Sequence, residues 1–92
     1  MAKLLSLGVN FFDTAEFYGF GAAETLLGQA FKDLDVKRSE IVVSTKIFWG
    51  GAREEATTVP AQFGHYAGKG VNTVGLSRKH IIEGTRASLK RL

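Results

Sequence analysis

Two short apolar runs, VNFFDT at residues 9–14 and EIVVSTKIF at residues 40–48, flank a segment of helical rather than alternating period. This arrangement constrains the fold more than any other feature. Each run is continuously apolar before it turns polar, the pattern of a strand covered on both faces. In the second, Ile41, Val42, Val43, Thr45 and Ile47 are β-branched and favour a pleated backbone. Between the runs, Ala23, Leu27, Ala30, Phe31 and Leu34 recur at helical spacing, which predicts a helix of about three turns. A helical crossover lets the two strands pair in parallel, whereas a tight hairpin would make them antiparallel. The chain therefore reads as α/β with helices outside a parallel sheet, either an open doubly wound sheet or a barrel.

The flanks fit this plan. Residues 3–7 read as the last turn of a helix, with Gly8 at the C-cap. Near the other end, Ser77 is placed to N-cap a helix whose apolar stripe is Ile82, Leu89 and Leu92, with Thr85 on the same face. His80 falls in the first turn of that helix, where a surface or capping role is expected. The helix is cationic and amphipathic, and packing on the strands accounts for it better than membrane or partner binding, since Glu83 shares its polar face. Between Gly50 and Gly75 no period is visible. Loops beyond about 12–15 residues are uncommon in compact domains, so this stretch is functional, disordered or foreign to the fold. No internal repeat is present.

Composition narrows the function. With 92 residues the chain builds at most one domain around one small core. No apolar run reaches the roughly 18 residues of a membrane helix, so no membrane insertion is expected. The 12 Lys and Arg barely exceed the 9 Asp and Glu and are scattered, which gives no nucleic-acid footprint. Absence of Cys removes disulfides, thiolate zinc sites and cysteine nucleophiles, and fits a reducing, cytoplasmic setting. No metal site is expected. The start, MAKLLSLGVNFF, lacks a signal-peptide cleavage site, and Gly19 and Gly21 do not open a GxGxxG turn.

Three residues stand where chemistry is expected. Asp13 ends the first strand, Tyr18 lies in the Gly- and aromatic-rich turn that follows, and Lys46 is near the end of the second strand. Ligands of parallel α/β folds bind outside the carboxyl ends of the strands. There an ammonium beside a phenol favours the phenolate and prepares it to give a proton to a developing alkoxide, while a carboxylate keeps the ammonium charged. On spacing alone a plainer reading stands beside this one, with Asp13 capping a turn, Tyr18 packing and Lys46 a solvated edge charge.

The wording of the segments goes further. GVNFFDTAEFYG, AAETLLGQAF, IVVSTKIFWGG and GLSRKHIIEGTRASLKRL together resemble the aldo-keto reductase superfamily. KIFWGG and GLSRKHIIEG are similar to the branch that contains the voltage-gated potassium channel β-subunits. The resemblance covers residues 5–51 and 75–92 and leaves an unmatched insert at 52–74. That insert reads equally as a long substrate loop or as translated intron, and its His65 and Tyr66 are assigned no role. The resemblance implies a partial (β/α)8 TIM barrel over residues 1–92, about two βα units in the order β-α-β-loop-α. It implies carbonyl reduction by hydride transfer from NADPH, with Tyr18 as general acid and Lys46 tuning it. Asp13 would pair with Lys46 near the nicotinamide ribose, and Trp49 would border a small carbonyl substrate.

The same resemblance places a fourth catalytic residue, a His, on a further strand beyond Leu92, and His65 and His80 are poor substitutes for it. The strands that hold the rest of the cofactor come later still, and the first barrel strand precedes this chain. A fragment inactive alone is expected. The alternatives are a non-enzymatic, channel β-subunit-like regulatory protein with a channel or homo-oligomeric partner, and an inert truncated product.

Overall fold

The computed structural model describes residues 1–50 and 74–92. In chain order the elements are helix α1 (Ala2–Ser6), strand β1 (Phe11–Asp13), a 3-10 turn (Tyr18–Gly21), helix α2 (Ala22–Asp33), a second 3-10 turn (Arg38–Glu40), strand β2 (Val42–Ser44) and helix α3 (Arg78–Arg91). The strands pair in parallel, Phe11 with Val42, Phe12 with Val43 and Asp13 with Ser44, so the expected crossover is present. Apart from Val74, the insert at 52–74 lies outside the described residues, and His65 and Tyr66 lie outside them too.

Pairing runs past the regular strands. Val42 N–H donates to Asn10 O at 2.8 Å, Thr14 N–H to Ser44 O at 2.9 Å, and Glu16 N–H to Lys46 O at 3.1 Å. The two chains therefore stay in register for two residues beyond β2, which brings the residues after each strand to a common edge. The turn that follows holds Gly19, Phe20 and Gly21 at φ of 58°, 55° and 93°. Glycine accepts the left-handed conformation freely, while Phe20 adopts it at a cost of about 1–2 kcal/mol. Its ring meets Phe17 edge-on at 5.4 Å, which offsets part of that strain.

The inward face of α3 differs from the one its apolar periodicity predicts, and that of α2 is rotated from it while keeping Phe31. In α2 the buried residues are Glu24, Gly28 and Phe31. Ala23, Leu27 and Ala30 flank them half-buried, and Leu34 is exposed. In α3 the buried face is His80, Gly84 and Ser88. The expected stripe is corrected here, since Ile82 and Leu89 are exposed, Leu89 at 72%. His80 is likewise not a surface residue, with 3% exposure. Polar and small residues face inward because the space between helices and strands is filled by hydrogen-bonding groups and by backbone in close approach. Among the described residues the buried apolar side chains are Ala15, Phe31 and Ile41, and Phe31 meets Phe12 edge-on at 5.1 Å.

The buried glycines inside α2 and α3, Gly28 and Gly84, set that approach. A Cβ at Gly28 would overlap the Arg91 carbonyl oxygen and come within 2.9 Å of Leu92 Cα. A Cβ at Gly84 would come within 2.8 Å of Glu16 Oε2 and 3.1 Å of Ile47 Cγ2. Glycine-to-alanine changes inside helices ordinarily stabilise by about 0.5–1 kcal/mol. Here the sign reverses. Gly28→Ala, which drives a methyl group into backbone, is expected to destabilise the chain by about 1–3 kcal/mol. Gly84→Ala, whose nearest neighbour is a side-chain atom at 2.8 Å rather than overlapping backbone, should cost less. Urea unfolding followed by circular dichroism checks the order, and a stabilising Gly28→Ala would show that the helices do not meet there.

Candidate active site

The parallel strands deliver Asp13 and Lys46 to one edge. Asp13 is the last residue of β1, and Lys46 follows β2 by two residues, where Glu16 N–H still pins its carbonyl. The Lys46 ammonium hydrogen-bonds Asp13 Oδ2, donates to Thr14 O at 2.8 Å and lies 5.1 Å from the centroid of the Tyr18 ring. Tyr18 opens the 3-10 turn, and its N–H donates to Ala15 O at 3.2 Å, which bends the chain back over the strand ends. All three residues of the expected trio are therefore brought together, each accessible to solvent. Trp49 lies alongside. Its ring packs on Phe48 at 4.8 Å and on Phe17, the residue before Tyr18, at 6.4 Å.

Charge reinforces this geometry. The hydrogen bond from Lys46 holds the Asp13 carboxyl below its ordinary range, against partial desolvation and with help from the Ser44 hydroxyl. The hydrogen bond to Asp13 raises Lys46 in turn, again against desolvation, with Tyr18 adding to the effect. The site thus holds an ammonium, fixed by Asp13, next to the Tyr18 phenol.

A layer of buried polar side chains that apolar periodicity does not single out ties the strand ends to α2 and α3. Glu16 is 1% exposed, and its Oε1 accepts from Phe48 N–H at 2.7 Å, Gly50 N–H at 2.9 Å and His80 Nε2 at 3.0 Å. Glu24, fully buried, accepts from Thr45 Oγ1 at 2.5 Å and from Arg91 Nε at 2.6 Å. Ser77 caps α3 as expected, its hydroxyl accepting from His80 N–H at 3.1 Å. One signal for this layer was present in the sequence. His80, Gly84 and Ser88 recur every four residues, and a glycine inside a helical pattern marks a close approach.

A pH dependence follows from the Asp13–Lys46 pair. With Asp13 lowered, its contribution is present above the ordinary carboxylate value near about 3.9 and is lost as pH falls through the lowered one. With Lys46 raised, its contribution is present below about 10.4 and is lost as pH rises through the raised value. Asp13→Asn is therefore expected to bring the Lys46 titration, followed by NMR at the ε carbon, back down toward its ordinary position. High salt should produce part of the same shift, because both groups are half-exposed. An unchanged Lys46 titration in Asp13→Asn would break the pairing.

Comparison with known proteins places this geometry. Residues 1–92 match the model of the Aldo/keto reductase family. The chain is 54% identical over 85 residues to an Arabidopsis thaliana protein named "Probable voltage-gated potassium channel subunit beta", covering 92% of this chain and 21% of that protein. It is 53% identical over 85 residues to a protein of the same name from Oryza sativa subsp. japonica, with the same coverage. The chain thus spans about a fifth of the length of the curated relatives it matches. A family match over its whole length, and relatives identical at more than half of the aligned positions, show that the chain belongs to the aldo/keto reductase family, beside members that carry potassium channel β-subunit names.

Proposed function

We propose that this chain carries the proton-transfer corner of an NADPH-dependent carbonyl reductase, one part of a (β/α)8 barrel whose further strands complete the cofactor site. The observation that supports it is the meeting of Asp13, Tyr18 and Lys46 at the carboxyl ends of two parallel strands. Tyr18 donates its hydroxyl proton to the oxygen of a small aldehyde or ketone as charge builds there. Lys46 stabilises the charge left on the phenol oxygen, and Asp13 keeps Lys46 protonated and in place. The family generally uses NADP(H), which when bound supplies the hydride. The Asp13 carboxylate fits that cofactor, because it is half-exposed and has lone pairs beyond the one that Lys46 takes, as a ribose hydroxyl requires. Trp49 and Phe48 present exposed aromatic surface at the same edge, suited to the apolar part of a substrate.

The need for further strands is supported by the exposed apolar residues of the sheet, Phe11 at 57% and Val42 at 52%. Such surface on paired strands calls for a covering layer. A second reading, non-enzymatic association with a potassium channel, is favoured by the names of the relatives alone. Among the described residues no helix is long and apolar enough to cross a membrane.

Two measurements test the proposal. In a barrel built by exchanging this chain for the matching segment of the Arabidopsis relative, NADPH oxidation with an aldehyde is expected to lose at least about 100-fold in kcat on Tyr18→Phe. An unchanged kcat removes Tyr18 from the reaction, and if co-purification with a channel persists the second reading is favoured. For the 92-residue chain by itself, fluorescence titration with NADPH should show no saturation, whereas saturable binding would remove the requirement for further strands.

A further inference from the structure

We propose that Glu16 is a positioning residue, whose carboxyl group extends the β1–β2 ladder past the end of its backbone and so fixes the segment from Lys46 to Gly50. The ladder shows how. Successive even-numbered residues of the second strand bond to the first, Val42 to Asn10, Ser44 to Thr14 and Lys46 to Glu16 N–H. At that point the first chain leaves for the Tyr18 turn, and no further backbone is available. The next two even-numbered residues, Phe48 and Gly50, donate their N–H groups to Glu16 Oε1 instead. A single residue thus holds three consecutive rungs, one through its backbone and two through its side chain.

The clamp is closed from both sides. His80 Nε2 is a third donor on the same oxygen, and His80 is itself fixed by the Ser77 cap, so the first turn of α3 is tied to the loop. The Phe48 carbonyl accepts from Gly75 N–H at 2.6 Å, so both backbone polar groups of Phe48 are bonded. Trp49 sits between the two clamped amides, and Lys46 at the start of the clamp. The proposal rests on the carbonyl-reduction reading only for what this segment is positioned to do. Converging donors on one oxygen require an acceptor of the reach of Glu or Gln. Asp, one methylene shorter, does not reach both amides.

Amide hydrogen exchange of the 92-residue chain, read by NMR without cofactor or substrate, tests the assignment. Phe48 and Gly50 amides should be protected in the parent chain, and Glu16→Ala should accelerate both by about tenfold, as expected for the loss of a hydrogen bond. Thr14 and Val42, bonded only to backbone, should keep their rates relative to the parent. Glu16→Gln should restore protection at 48 and 50, and Glu16→Asp should not. Unprotected Phe48 and Gly50 amides in the parent chain would overturn the proposal, as would acceleration spread evenly over Thr14 and Val42, or failure of Gln to rescue. Exchange does not depend on catalysis, so a negative result here leaves Tyr18 chemistry standing, and a failed Tyr18→Phe test leaves the clamp standing.

Discussion

Much of this structure depends on a carboxyl oxygen in a place where water cannot reach it. Glu16 Oε1 draws in two amides of one loop and a side chain of α3, and Glu24 accepts from Thr45 and from Arg91 at the opposite end of α3. Buried donors left without an acceptor cost about 1–3 kcal/mol each, so these groups hold their neighbours by the penalty for separation rather than by attraction alone. With so few apolar side chains buried among the described residues, that penalty is a principal source of order around the site. Glycine stands at the two close approaches beside these groups, Gly28 against the backbone of Arg91 and Leu92 and Gly84 against Glu16 and Ile47.

The division of labour between buried and exposed polar groups has a functional logic. Lys46 and Asp13 are half-exposed, where charge can meet a ligand and respond to pH and salt. Glu16, Glu24 and His80 are enclosed, where hydrogen bonds are stronger and more directional. The proton transfer proposed for this site needs the first group accessible and the second immobile. Along the chain the two groups lie close together, with enclosed Glu16 three residues after Asp13.

The sequence made the exposed half of this arrangement legible and the enclosed half far less so. Asp13 and Lys46 follow from where apolar strands stop, because strand ends are set by composition, and Tyr18 follows from the glycine-rich turn between them. Strand, crossover and strand were legible for the same reason. The inward faces of α2 and α3 were not, since apolar periodicity presumes that a helix buries carbon. Leu89 and Leu34 are exposed here while Ser88 and Glu24 are buried. Long-range hydrogen bonds such as Glu16 to His80 join residues far apart in the chain, and spacing carries no trace of them. Glycine at 28 and 84 was the available hint.

The bond between Phe48 O and Gly75 N–H has an architectural consequence of its own. It joins the residues on either side of the stretch from 51 to 73 to each other, and Glu16 anchors both banks through Gly50 and His80. Whatever sequence connects the banks begins and ends at points already fixed. Closing a longer connection costs only about 0.6 kcal/mol per doubling of its length. The two ends of that connection are therefore held beside the Asp13, Tyr18 and Lys46 trio by bonds between residues far apart in the chain.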